Sequence, residues 1–268
     1  MKIIDLKLYE VDRLNRFYPK TMTINSESKL YYYPDRTKLR ILKLIKNMNS
    51  NKVLTINLIN RYKKDINIDE LVLESDLVSV NGKPAGLINE YIEGKVLSKI
   101  IYNRDITIDY KIELLKKIGI VLEKMKNVRN KGINDFYIGD LHEDNIIITN
   151  DNDIRILDMD SSKIMHNKPF PSKFLTRYSK RMNQSHQITP NEYTDNYCFN
   201  MILLNALFSK DISKLKISDF YRHIDYLSRI GINSNLINNF GSMYNKIINT
   251  KNLYSEIDSL KDKKIYLK

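Results

Sequence analysis

Three oxygen-bearing side chains are spaced so that they can meet. Asp140 and Asn145 lie just before the apolar run Ile146–Thr149, and Asp158 lies just after the run Ile154–Leu157, with Asp160 two residues on. The polar stretch Asn150–Asp153 between the runs reads as the turn of a β-hairpin. In an antiparallel pair the start of one strand lies beside the end of the next, so Asp140, Asn145 and Asp158 are expected to converge at one end. Two carboxylates and a carboxamide suit a hard cation such as Mg²⁺. A catalytic base can come from the same set. The alternative that needs no function is a solvated acidic hairpin with ordinary turn residues.

The spacing within this stretch carries a resemblance. Asp140-Leu-His-Glu-Asp-Asn145 resembles the catalytic loop of the protein-kinase-like superfamily, in which an Asp is followed five residues later by an Asn. Ile-Leu-Asp158-Met-Asp resembles the metal-binding Asp that follows it, in the form found in aminoglycoside and choline kinases and in some bacterial protein kinases. The resemblance implies an α+β, bilobal fold. Residues 1–91 would form a small antiparallel N-lobe with one helix, and 92–268 a mainly helical C-lobe. It implies ATP and Mg as cofactors, Asp140 as the catalytic residue at the acceptor hydroxyl, and Asn145 and Asp158 as the metal ligands.

The elements that must position these residues follow from pattern. Ile3–Arg16 admits either a short helix or a strand with a turn, ended by Pro19. Thr21–Asn25, Lys29–Tyr33 and Lys38–Lys46 read as strands. Lys43 sits between Leu42 and Leu44 in the last of these, where a buried ammonium wants an anionic partner. The resemblance makes that partner an ATP phosphate; Lys46 competes for the role. The loop Asn25-Ser26-Glu27-Ser28 stands where the family has a glycine-rich phosphate loop, and contains no glycine. Asn51–Lys64 reads as a helix without the Glu that the family's equivalent offers to the strand lysine; Asp65, Glu70 and Glu74 are the nearest acids.

Leu71–Val80 and Ala85–Tyr91 flank Asn81-Gly82 and read as a second hairpin. Glu90-Tyr91-Ile92-Glu93-Gly94 resembles the kinase hinge, which implies that backbone groups around Glu90 and Ile92 bind the adenine edge while side chains matter little. From Val96 the period becomes helical. Ile108–Asn130 is a long amphipathic helix ended by Gly132. Residues 163–193 carry Pro169, Pro171 and Pro190 and read as a substrate loop, with Arg177, Lys180 and Arg181 in it. Thr194–Phe208 is an apolar helix for which Thr194 or Asp195 is the expected cap. By resemblance, Asp195 would anchor the catalytic loop. Amphipathic helices are expected at 216–229, 233–249 and 252–261.

Details of the loop refine the expectation. Gly139 stands where many protein kinases carry the Arg that binds a phosphorylated activation loop, so that switch should be absent. His142 stands where small-molecule kinases commonly carry His. Glu143 and Asp144 read as solvated, and Asp160 as a secondary metal ligand or a turn cap.

The formal net charge of +12 is spread along the chain with no zinc-finger or RNP-type signature, so a nucleic-acid partner is not expected. A single cysteine, Cys198, excludes an internal disulfide and a Cys-rich metal site. No apolar run approaches a membrane span and no signal peptide is visible, so the expectation is a cytoplasmic protein with no membrane partner. The expected partners are ATP and a protein or small-molecule hydroxyl acceptor. A small-molecule kinase, or an ATP-binding pseudokinase, is the alternative.

Overall fold

The computed structural model describes residues 2–17, 28–35, 38–73, 75–165, 167, 189–243, 250–263 and 265. Among these the chain is mixed α+β. A six-stranded sheet has the order β1-β5-β6-β4-β3-β2, formed by β1 (Ile3–Leu6), β2 (Arg16–Phe17), β3 (Ser28–Pro34), β4 (Leu39–Ile45), β5 (Ser75–Val80) and β6 (Lys83–Glu90). Only β1 runs parallel to its neighbour, β5; the other pairs are antiparallel. The segment Ile3–Arg16 thus holds both a strand and a short helix, α1 (Leu8–Asp12). The strand expected at Thr21–Asn25, Pro19, the loop residues Asn25–Glu27, and Glu74 lie outside the described residues.

Strand alternation gives the sheet two covered faces. Leu42, Val78 and Ile88 pack with Leu6 and Val11 on one side. Ile45, Leu77 and Leu87 pack on the other against Ile56 of α2 (Ser50–Ile66). Lys43 shares this second face with Ile45. The β5–β6 turn is Asn81-Gly82, with φ of 50° and 78°, the backbone that an Asn-Gly hairpin favours. One glycine here is needed for closeness. A Cβ on Gly86 would stand 2.0 Å from the Lys43 carbonyl oxygen, so only glycine lets β6 lie this tightly on β4 beside the lysine.

Helix α2 begins where Asn49 accepts the backbone N–H of Lys52, and ends at Asn67 in the left-handed conformation. The strand expected from Leu71 starts only at Ser75. Residues 70–72 run instead beside the second hairpin strand: Val72 N donates to the Ile156 carbonyl (2.9 Å), and Ile156 N to that of Glu70 (2.7 Å). Backbone pairing with that strand wins over the local β pattern.

The rest is built on α4 (Ile108–Asn130) and α5 (Glu192–Phe208), preceded by the short α3 (Ser98–Ile101). Ile112, Leu115, Ile118, Leu122 and Met125 of α4 are buried, as their spacing predicts. The α5 cap is Asn191, whose side chain accepts from Thr194 N, rather than Thr194 or Asp195. Then follow α6 (Ile217–Arg229) and α7 (Ser234–Ser242); residues 244–249 of the expected 233–249 helix lie outside the described residues. The helix expected at 252–261 is only a 3₁₀ turn at Ile257–Leu260. Asn252 donates to the Gly119 carbonyl, and Tyr254 sits where a Cβ on Gly119 would be, 2.2 Å from its own Cβ. Docking on α4 holds this stretch out of a helix. Among the described residues, no helix is long and apolar enough to cross a membrane.

Candidate active site

The central hairpin forms as expected from β8 (Ile146–Ile148) and β9 (Ile154–Ile156), with β7 (Lys95–Val96) completing a three-stranded sheet. Leu157 N donates to the Asn145 carbonyl at 2.8 Å, so Asp158 emerges directly beside Asn145. Asp158 then turns the chain with φ 60° and ψ 38°. A non-glycine residue in this region carries a conformational cost that marks sites where a side chain must be aimed.

Asp140 is held from two sides. The Asp195 carboxylate accepts from the backbone N–H groups of Ile138 (2.8 Å) and Gly139 (3.1 Å), fixing the loop before it. Asn145 Nδ2 donates to the Asp140 carbonyl at 3.1 Å, which leaves the Asn145 amide oxygen for another partner. Burial pushes the Asp140 carboxyl above its ordinary value, opposed by His142 and Lys43. Burial also raises Asp195, to about 6, against the pull of its two N–H donors.

Lys43 reaches this group from the sheet. Its ammonium lies 3.1 Å from Asp158 Oδ1 and 2.8 Å from Asp160 Oδ1. Burial would lower its pKa, but the two carboxylates outweigh that and raise it well above the ordinary lysine value. Lys46, the competing lysine, is exposed beyond the end of β4.

Asp160 lies inside the 3₁₀ turn Met159–Ser161, which Asp158 rather than Asp160 caps. It is buried, and its Oδ2 accepts from Lys52 Nζ at 2.8 Å, so both carboxylate oxygens are taken by lysines. These cations hold its pKa down at about 2 despite burial. Lys52, from the first turn of α2, was not singled out by motif. Its position was the available signal, because Lys52, Ile56 and Ile59 share one buried helix face.

The expected hinge residues lie at the end of β6. Tyr91 N donates to the Leu39 carbonyl (3.3 Å), and successive residues of a ladder turn to opposite sides, so Glu90 faces its backbone away from β4. The Ile92 backbone has no hydrogen bond among the described residues. The Glu90 side chain is engaged as well: Arg155 Nη2 of β9 lies 2.6 Å from it. Phe17, Tyr32 and Tyr91 cluster nearby, with ring centroids 5.0–6.3 Å apart, on the same sheet face as Lys43 by strand register.

His142 accepts the Asp144 N–H through Nδ1, and its Nε2 lies 3.8 Å from Asp140 Oδ2. Glu143 is not solvated. It is fully buried and accepts from the Tyr102 hydroxyl at 2.5 Å, a contact that docks the loop on the helices. Asp144 is half-buried. Arg177, Lys180, Arg181, and most of the expected substrate loop lie outside the described residues.

Among the described residues there is no cluster of three or more His, Cys, Asp or Glu suited to a metal. Asp158 with the Asn145 amide oxygen fits Mg²⁺, which takes one or two protein oxygens and completes its shell with water and phosphate. No protein-family model matches the chain, and no curated protein matches it in sequence.

Proposed function

We propose that the chain is an ATP- and Mg-dependent phosphotransferase that moves the γ-phosphate to a hydroxyl acceptor. In this reading it is a bilobal, protein-kinase-like enzyme, with residues 1–91 as the N-lobe and 92–268 as the C-lobe. The observation that carries it is the meeting of Lys43, from the sheet, with Asp158, from the hairpin, at 3.1 Å, beside Asn145 and Asp140. A lysine, a metal-type carboxylate, an amide oxygen and a half-buried carboxylate brought together from separated stretches suit phosphoryl transfer, where catalysis is mainly positioning and charge neutralisation.

Each residue then has a role. Asp140 orients the acceptor hydroxyl and takes its proton late. Asn145 and Asp158 would hold Mg²⁺, which when bound neutralises charge on the phosphates. Lys43 steadies the phosphates. The backbone at Glu90 and Ile92 meets the adenine edge, and the Phe17–Tyr32–Tyr91 cluster supplies aromatic surface near it. Gly139 has φ 79°, and a Cβ there would stand 2.8 Å from the Ser161 carbonyl oxygen, so the Arg that reads a phosphorylated loop does not fit.

The acceptor divides two forms of this reading. A protein hydroxyl is the first choice. A small-molecule alcohol is the second, favoured by His142 lying 3.8 Å from Asp140 beside Gly139. The test is incubation with Mg²⁺ and γ-labelled ATP beside an Asp158→Ala control. Label on the protein that disappears in the control supports transfer to protein. Mg²⁺-dependent ATP binding without self-labelling favours the small-molecule form. The absence of both signals overturns the reading.

A further inference from the structure

Among the described residues, the acids that pair with Lys43 come from the turn after β9 rather than from α2, and α2 contributes a cation in their direction. We propose that Lys52 is a positioning residue, which with Asp160 forms a fixed buried pair that holds Lys43 in register for the nucleotide phosphates. This inference rests on the phosphotransfer reading and names the part of that site on which nucleotide affinity depends.

The geometry is specific. The Lys52 and Asp160 side chains are each only 1% exposed and lie 2.8 Å apart. Lys52 sits in the first turn of α2, where the helix dipole disfavours a positive charge, and burial disfavours it further. Asp160 offsets both. Its two oxygens are divided, Oδ2 to Lys52 and Oδ1 to Lys43, so each lysine helps to fix the orientation of the carboxylate that meets the other.

Lys43 has a second partner, Asp158, which is the metal ligand in this reading. When Asp158 turns to a cation, Asp160 remains as the anchor of Lys43, and Lys52 fixes the orientation of that anchor. The same contact ties the start of α2 to the turn after β9. Lys52 itself does not touch the nucleotide. In a chain whose α2 offers no Glu, the pair supplies the restraint from the opposite side with the charges exchanged.

The test compares wild type with Lys52→Met, Lys52→Arg, Asp160→Asn and the Lys52→Met/Asp160→Asn double variant. Mg·ATP affinity is read by calorimetry, and kcat and KM by labelled transfer. Lys52→Met is expected to raise both the Kd and the KM for Mg·ATP about ten-fold, the scale of coupling within one polar network. The kcat at saturating nucleotide should change far less, and Lys52→Arg should restore most of the affinity. The double variant should bind no more weakly than Asp160→Asn alone. Lys52→Gln, which keeps a donor, replaces Lys52→Met if that variant does not fold. Unchanged affinity in Lys52→Met, or in Lys52→Gln where that replaces it, or losses that multiply in the double variant, overturns this inference alone. Wild type that binds no Mg·ATP overturns the phosphotransfer reading and this inference with it.

Discussion

Arg155 on β9 and Glu90 at the end of β6 meet at 2.6 Å, a side-chain link between the hairpin that bears Asp158 and the six-stranded sheet that bears Lys43. Both are partly exposed, so the pair should contribute only about 0.5–1 kcal/mol to stability. Its larger effect is expected on geometry. On the proposed function, Arg155→Ala should weaken Mg·ATP binding a few-fold while lowering Tm little, and the exchanged pair Glu90→Arg/Arg155→Glu should recover binding. Calorimetry at low and high salt checks this. An Arg155→Ala variant that binds like wild type removes the link from the site.

Asp195 offers a sharper test of loop positioning. Asp195→Ala strips two buried N–H groups of their acceptor, a loss of about 2–4 kcal/mol, and should lower kcat more than it raises KM for nucleotide. The group also predicts a pH signature. Its folded pKa is raised from 3.8 to about 6, so the folded state binds the extra proton in that window. Its contribution to stability is therefore fully present below 3.8 and lost as pH rises through about 6. Thermal unfolding of wild type and Asp195→Asn from pH 3.5 to 7 should show wild type losing ground to the variant across that range. A constant difference rejects the assignment.

Lys111 on α4 is buried, with the Ser209 hydroxyl at 2.7 Å and no carboxylate in ion-pair reach among the described residues. Burial lowers its pKa from 10.5 to about 8. The unfolded chain binds the proton more readily between those values, so the contribution is present above 10.5 and lost as pH falls through about 8. Lys111→Met should flatten that slope and stabilise the protein near pH 7 by about 1 kcal/mol. Denaturant unfolding at pH 7 and pH 9.5 measures both. A destabilised Lys111→Met at pH 7 contradicts the account.

Gly86→Ala drives a methyl into the Lys43 carbonyl. Backbone cannot yield as a side chain does, so a loss of about 1–3 kcal/mol is expected, together with weaker nucleotide binding as β4 shifts. Gly241 in α7 is the control, since a Cβ there meets nothing within 4 Å; Gly241→Ala should raise stability by about 0.5–1 kcal/mol. Equal behaviour of the two variants in thermal melts would refute the close-packing argument.

Much of the site was legible because it is local. Asn145 and Asp158 flank one hairpin, so antiparallel pairing brings them together, and Asp140 lies in the loop just before it, held by Asp195 and Asn145. Lys43 was legible as a lysine in an apolar strand. The charge pairing was not, because Lys52 and Asp160 are 108 residues apart and no periodicity links a helix face to a turn after a distant strand. Glu143 misled for a related reason: it reads as a polar turn residue until Tyr102 buries it. The C-terminal stretch misled because a cleft over Gly119 outweighs helix pattern. Segment boundaries such as Ser75 failed where backbone donors found partners on β9.

Lys43 Nζ lies 3.1 Å from Asp158 Oδ1, so the ammonium and any cation held by Asp158 would share one carboxylate. On the proposed function, Mg²⁺ and the Lys43 ammonium would compete for Asp158. Loading should be ordered. Mg²⁺ alone should bind weakly, and tight binding should begin only when a polyphosphate brings the metal and takes over the freed ammonium. Calorimetric titration of Mg²⁺ with and without ATP decides this, and equally tight Mg²⁺ binding in both would contradict it.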